Sequence, residues 1–387
     1  MHIALVEPYC TGSHAAWATE YAAHSSHDVE LFTLAGRNWK WRMHGGAVAL
    51  AGRFLAAGKR PDLILATDML DLTTFLALTR PLSDRCRSAI YFHENQLTYP
   101  WSPGDPDPGE QRDLHYAFIN YVSALCADAV LFNSRYHMDS FLGELPAFLK
   151  RFPDAVELST VERIAAKSRV LPLGLDLRKF EPFRPQERAE TGVPLLLWNH
   201  RWEYDKAPEP FFEALYRLAD EGVEFRVAVL GESFGRVPPV FKQARERLGA
   251  RVVGWGYQKS FAEYAEWLWR ADILPVTSRQ EFFGASVVQA LYCGCRALLP
   301  DRLAYPEHVP GGLTSAVLYR DGESLLDRLR GLLQGAQHGA QHGAQHGARL
   351  DGHVARYDWE RLAPVYDDFF SGLIGSEEGE VPEIALV

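Results

Sequence analysis

Short apolar runs recur along the first half of this chain at Ile3–Val6, Val29–Thr33, Leu63–Ala66, Ala89–Phe92, Ala129–Phe132 and Val170–Leu173, with helix-length segments between several of them. Runs that are apolar throughout, rather than alternating, are what strands buried on both faces require. The pattern therefore predicts a parallel sheet covered by helices. A second series follows at Leu195–Trp198, Phe225–Leu230, Val252–Val253, Ile273–Val276 and Ala297–Leu299. The charged, proline-containing stretch from Arg178 to Thr191 separates the two and reads as a linker. The expected organisation is α/β, with one domain over residues 1–180 and another over 191–355. A last amphipathic helix, over 356–375, packs back on the first. Residues 334–348, which repeat Gly-Ala-Gln-His around His338, His342 and His346, read as a flexible insertion, because glycine at every fourth position opposes a helix. Glu377, Glu378, Glu380 and Glu383 mark residues 376–387 as a disordered acidic tail.

Composition supports two cores. The chain has 387 residues and is 47% hydrophobic, too long for one compact core and well supplied for two. No apolar run approaches the roughly 18 residues of a membrane span, and the start reads as a buried strand, not a signal peptide, so a cytoplasmic protein is expected. Five cysteines, an odd number, read as reduced core thiols. The net charge of -10 argues against nucleic acid as a partner when taken whole. Its distribution says otherwise. From Leu31 to Pro61 there is no acidic residue, whereas Arg37, Lys40, Arg42, Arg53, Lys59 and Arg60 are basic. With Trp39 and Trp41 interleaved, this segment can pair phosphates and stack bases; the plainer reading is a solvated helix carrying two core tryptophans.

The chemistry concentrates in two loops of the second half. Gln280-Glu281-Phe282-Phe283-Gly284 follows an apolar run and opens an amphipathic one, so a carboxylate and the free amides of Ala285 and Ser286 meet at a helix start. A sugar and a phosphate can both be held there. The run ending at Trp198 leads into Asn199-His200-Arg201-Trp202-Glu203-Tyr204-Asp205-Lys206, where a guanidinium fork and a compact ammonium lie beyond a strand end, placed to neutralise a diphosphate.

Other matches carry less. Gly231-Glu232-Ser233-Phe234-Gly235 fits a hydrolase nucleophile elbow, but Pro238-Pro239 would interrupt the helix that must follow. Asp105-Pro106-Asp107 imitates a metal-binding Asp-x-Asp but lies among prolines and glycines and reads as a surface loop.

The positions Arg201, Lys206, Gly231, Gly254 and Glu281 to Gly284 resemble the retaining glycosyltransferases of family 4, whose GT-B fold has two facing Rossmann-like domains with parallel sheets and a cleft between them. Within these, Gly12-Ser13-His14, Trp39-Lys40-Trp41-Arg42, the run Tyr91 to Pro100 with His93-Glu94-Asn95-Gln96, Asn133-Ser134 and Tyr292-Cys293-Gly294-Cys295 resemble the tRNA-queuosine mannosyltransferases. The resemblance implies transfer of mannose from GDP-mannose to queuosine in the anticodon of a tRNA of the tRNA-Asp type, with retention. It implies catalytic roles for His93 and Glu281, and a donor site of Gly12, Ser13, His14, Arg201, Lys206, Phe283, Gly284, Ala285, Ser286 and Gln289. The acceptor would meet Trp39, Lys40, Trp41, Arg42, Glu94, Asn95 and Gln96. Gln289 departs from the family, which commonly has a second glutamate there to hold the ribose hydroxyls; an amide bonds them more weakly.

A site with fixed cations and helix amides to stabilise the leaving diphosphate needs no metal and no cofactor, so none is expected. The alternative is a family 4-like enzyme with a small-molecule, lipid or glycan acceptor.

Overall fold

The computed structural model describes residues 1–110, 114–186, 192–233, 237–337, 347–377 and 379–384. The chain forms two compact units, Met1–Asp176 with Tyr357–Val387, and Leu177–Arg356.

The first unit is built on six strands: β1 (His2–Cys10), β2 (Asp28–Ala35), β3 (Leu63–Thr67), β4 (Arg87–Phe92), β5 (Ala129–Phe132) and β6 (Ser168–Val170). Every pairing is parallel, in the order β2-β1-β3-β4-β5-β6. Ile3 to Val6, Leu63 to Ala66 and Ala89 to Phe92 are fully buried, as all-apolar runs in a doubly covered sheet must be. The order reverses between β1 and β3, so the helices after these strands diverge to opposite faces and leave a crevice at the carboxyl ends.

The sixth strand ends earlier than its apolar run suggests. Leu171 N still donates to Phe132 O, but Pro172 has no N–H to continue the ladder, and the Leu171 and Pro172 carbonyls turn to the hydroxyls of Tyr91 and Tyr366. Tyr366 lies on the helix Trp359–Gly375, capped by Asp358. This helix packs on the helix Gly12–His24: Trp17 Nε1 donates to Tyr366, Tyr21 and Ser25 to Asp367, and Trp359 Nε1 to Glu20.

The second unit has β7 (Leu195–Asn199), β8 (Arg226–Leu230), β9 (Val252–Gly256), β10 (Ile273–Pro275), β11 (Arg296–Pro300), β12 (Leu318–Tyr319) and β13 (Ala348–Arg349). The order is β12-β11-β10-β7-β8-β9, the doubly wound Rossmann arrangement, with its reversal between β7 and β10. Only β13 is antiparallel, on β11, among the described strands.

Three local expectations are corrected. Arg178–Phe183, expected as linker, is a 3-10 helix of the second unit whose Phe180 is buried against Phe261 and Tyr264. The insertion expected over 334–348 is structured at both ends. The helix Gly322–Gln337 runs into the repeat because Leu325, Leu326, Leu329, Leu332 and Leu333 anchor its buried stripe, and Ala348 pairs with Ala297. His338, His342 and His346 lie outside the described residues. The acidic tail is not free: Arg169 donates to the carbonyls of Val381 and Pro382 and pairs with Glu383, although Glu378 lies outside the described residues.

Candidate functional site

In the second unit the predicted residues flank the topological reversal. Beyond β7 the chain passes Asn199 to Arg201 into a one-turn helix, Tyr204–Lys206; beyond β10 it runs through Glu281 to Gly284, at φ 93°, and starts the helix Ala285–Tyr292. A positive φ is cheap only for glycine, which explains Gly284 at this corner. The two loops are stitched together. Asp205 O accepts from Arg279 N at 2.8 Å, Thr277 Oγ1 donates to Ala207 O at 2.8 Å, and Asn199 Nδ2 donates to Ser286 O at 2.7 Å.

Lys206 sits at the centre of this corner, buried. Its ammonium contacts Asp205 Oδ2 at 3.0 Å and Glu281 Oε2 at 3.2 Å and donates to Gln280 O at 3.1 Å. Burial pulls the Lys206 pKa down, but Glu281 and Asp205 outweigh it and hold the ammonium charged. Burial pushes Glu281 up, and the charge and hydrogen bond of Lys206 outweigh that, keeping it ionised. His200, also buried and beside Lys206, is depressed to about 4 and is neutral. Arg201 is half exposed, 3.3 Å from Glu203. The helix from Ala285 has no side-chain cap, so its first amides remain available. Gln289, on the same helix, accepts the Tyr264 hydroxyl at 3.0 Å, which spends its carbonyl and leaves the amide as donor.

The corresponding corner of the first unit holds a cluster that the motifs only half revealed. Glu7, fully buried, lies where the β1–β2 register shifts. Its Oε1 accepts Tyr9 N at 2.6 Å, and its Oε2 is 2.9 Å from His14 Nδ1. The His14 ring lies 4.2 Å from that of His93, the residue after β4. His93 N donates to Asp68 Oδ1 at 2.8 Å, while Asp68 Oδ2, His93 Nε2 and Asn95 Nδ2 are buried without partners among the described residues. Burial pulls His14 down, but Glu7 and then Asp68 and Glu94 raise it to about 9; His93 is held neutral by burial and by His14 and His137. His14, on the first turn of the helix Gly12–His24, is thus one member of a buried pair with His93. Glu7, His14 and His93 offer ligand atoms all within 4.8 Å of one another, but the Glu7 carboxylate is already engaged through both oxygens, and the cluster reads as a hydrogen-bonded pair.

The remaining acceptor candidates divide. Asn95 Oδ1 accepts from Leu97 N and Thr98 N and builds the turn, and Gln96 Nε2 donates to Glu94. Trp39 is partly buried with its ring tilted against Trp101 and Tyr116, whereas Trp41 is 64% exposed over Gly45, so only one of the two tryptophans packs on the core. Lys40 is not a free cation: it lies 2.6 Å from Asp105 and 2.5 Å from Asp107. The Asp105-Pro106-Asp107 loop is thereby corrected from a plain surface turn to a clamp on Lys40. Arg42 donates to Ala35 O. Of the hydrolase-like stretch, Phe234 and Gly235 lie outside the described residues; at Gly231 a Cβ would come within 2.0 Å of His200 O, which explains that glycine without a nucleophile. Cys293 and Cys295 are buried core thiols, but Cys126 is exposed.

Two Rossmann-like units, each with polar residues gathered at the carboxyl ends beside its reversal, define a glycosyltransferase of the GT-B class, and comparison with known proteins agrees. Residues 194–335 match the model of the glycosyl transferases group 1, and residues 2–175 match that of the tRNA-queuosine alpha-mannosyltransferase N-terminal region. The chain is 32% identical over 384 residues to the tRNA-queuosine alpha-mannosyltransferase of Drosophila melanogaster, covering 97% of this chain and 98% of that protein. It belongs to that family. It is also 30% identical over 208 residues to a D-inositol 3-phosphate glycosyltransferase of Arthrobacter sp., covering 51% of this chain and 42% of the other. Sucrose-phosphate synthase of Thermosynechococcus elongatus shares the fold, with a TM-score of 0.69 at 15% identity over 97% of this chain and 100% of that one. No described helix is long and apolar enough to cross a membrane.

Proposed function

We propose that this glycosyltransferase moves mannose from GDP-mannose to queuosine in the anticodon of a tRNA of the tRNA-Asp type, in the cytoplasm, with retention of configuration. The observation that carries the reading is the full-length likeness to a tRNA-queuosine alpha-mannosyltransferase, joined to a second unit whose switch-point residues suit a nucleotide sugar. Arg201 and the amides of Ala285 and Ser286 meet the diphosphate, which accumulates negative charge as the sugar leaves. Lys206 supports them from below and fixes Glu281, which bonds a sugar hydroxyl beside Phe283 and Gly284. Gln289 donates to the ribose. In the first unit Gly12 and Ser13 offer backbone to phosphate, His93 faces the sugar, and the exposed Trp41 with Arg42 receives the anticodon arm. No step uses a metal or cofactor.

The test is mass spectrometry of queuosine-containing tRNA incubated with the protein and GDP-mannose. A gain of one hexose on queuosine, with the α-anomer released on digestion, is the expected result. Transfer to a small glycoside or lipid with tRNA unchanged would replace this acceptor by the alternative.

A further inference from the structure

Glu7, fully buried and bonded through both carboxylate oxygens, has no role in the function proposed above. We propose that Glu7 is a positioning residue for the transfer reaction, holding the His14 ring through Nδ1 so that Nε2–H is presented to a hydroxyl of a polyhydroxylated substrate ring. This rests on the functional reading above and deepens its first-unit site.

The geometry argues it in three steps. The Glu7 carboxylate cannot rotate, because Tyr9 N holds Oε1 at 2.6 Å while Oε2 meets His14 Nδ1 at 2.9 Å, at the point where the strand register breaks. A carboxylate that accepts from one ring nitrogen fixes the ring's orientation and favours the doubly protonated imidazolium, whose other nitrogen is then also a donor. His14 has no second hydrogen-bond partner among the described residues, so that donor is uncommitted. Finally, the corner lies at the reversal between β1 and β3, where open parallel sheets bind ligands.

The chemistry around the ring selects the ligand class. The charged and titratable groups acting on His14 are Glu7, Asp68 and Glu94, with the neutral His93 ring tilted against it at 4.2 Å. Glu7 and Glu94 beside the imidazole disfavour a phosphate, which can only accept and brings further negative charge, while burial raises Asp68 and keeps its proton on. A hydroxyl both donates and accepts. Asp68 Oδ2, His93 Nε2 and Asn95 Nδ2, without partners among the described residues, can serve such groups: a protonated Asp68 hydroxyl and the Asn95 amide donate, and the neutral His93 ring supplies a further polar nitrogen. Either the sugar of the donor or the diol of the acceptor has this chemistry.

The experiment compares Glu7→Gln and Glu7→Asp with wild type. Nitrogen NMR of the His14 ring in the substrate-free protein should show both nitrogens protonated in wild type well above neutral pH, and a titration moved to lower pH in Glu7→Gln. Turnover with GDP-mannose and tRNA should fall about tenfold or more in Glu7→Gln, as removal of an oriented proton donor does, and recover in part in Glu7→Asp. A raised KM for tRNA identifies the acceptor diol as the ring, and a raised KM for GDP-mannose the sugar. Circular dichroism separates misfolding from mispositioning; if Glu7→Gln misfolds, Glu7→Asp, which keeps the charge but shortens its reach, must still displace both the titration and the rate. Wild-type turnover in a folded Glu7→Gln, or an unmoved His14 titration, overturns the proposal. The NMR arm uses no substrate, so it decides the Glu7 role even if wild-type protein leaves queuosine tRNA unmodified, an outcome that removes only the functional reading.

Discussion

The carboxyl-end corners of the two sheets are built from the same residue types and do opposite electrostatic work. In the second unit one ammonium, Lys206, is held between two carboxylates, with a guanidinium and uncapped amides beside it. In the first unit Glu7, Asp68 and Glu94 act on one imidazole, burial keeps the proton on Asp68, and the neighbouring histidine is kept neutral. Position in a doubly wound sheet tells where a ligand binds; the balance of charge at that position tells which kind. A corner with a half-exposed guanidinium and uncapped helix amides suits a diphosphate, and one with buried, unpartnered polar atoms beside an imidazole suits hydroxyls.

The hardest way to break the comparison is to remove the second-unit charges. Arg201→Ala should lower transfer at least about a hundredfold, because a preorganised charge contact to the transition state is typically worth about 3 kcal/mol. Arg201 is half exposed, so the fold should be untouched. Glu281→Gln should cost a similar factor in rate. Lys206→Ala should do as much and also destabilise the protein by about 3–5 kcal/mol, since it leaves Asp205 and Glu281 buried without their cation. Steady-state rates with thermal melts check both. Near-wild-type turnover by a folded Arg201→Ala would remove the diphosphate from this corner.

Alkaline pH should separate the two corners next. His14 is raised above its ordinary value, so its contribution to stability is complete below about pH 6.5 and lost as pH rises through about 9. The loss is at most about 3 kcal/mol. Lys206 is likewise raised, but from 10.5, so its contribution persists beyond that range. Melts between pH 6.5 and 9.5 should therefore fall in wild type and stay flatter in His14→Gln. Parallel curves would mean that His14 is not charged in the folded protein.

How much of this was legible in the residues depends on the range of the interaction. Strands in a doubly covered sheet need unbroken apolar runs, so Ile3 to Val6 or Leu195 to Trp198 announce themselves, and the loops after them locate Arg201, Lys206 and Glu281. Glu7 follows such a run and is indistinguishable from an ordinary strand-end carboxylate until the fold brings His14 against it; the Gly-Ser-His motif named the histidine but not its partner. The Asp105-Asp107 clamp on Lys40 is equally non-local, since nothing in a Pro- and Gly-rich loop names the cation it will meet. Gln334 to Gln337 failed for the converse reason: local glycine content opposed a helix that a distant stripe of buried leucines sustains.

A gentler perturbation tests the acceptor side. The clamp on Lys40 means that reversing its charge would also crowd three carboxylates, so the informative variant is Trp41→Ala with Arg42→Glu. Trp41 is exposed, and its loss should leave the melting temperature unchanged. Affinity for tRNA should fall about tenfold and its salt dependence should flatten, while GDP-mannose affinity stays within about twofold. Filter binding over a salt series measures this. An unchanged affinity and slope would take this helix off the RNA and favour a small acceptor.

The smallest expected effect is the most discriminating between the corners. If Arg201 and the amides of Ala285 and Ser286 supply the positive charge for the leaving diphosphate, with Lys206 behind them, turnover needs no divalent ion, and excess EDTA should change the rate by less than about twofold. The first unit is where this could fail, because Glu7, His14 and His93 come within 4.8 Å of one another, a spacing a cation would accept. A zinc or manganese ion there would displace the Glu7–His14 hydrogen bond, deprotonate the ring and supply positive charge of its own. A loss of more than about tenfold, restored by added metal and abolished in Glu7→Gln, would show that the first-unit cluster is a metal site and that its carboxylates serve a cation instead of a hydroxylated ring. An unchanged rate, with no metal found in protein purified without chelator, leaves the charge work to the second unit and the hydroxyl work to the first.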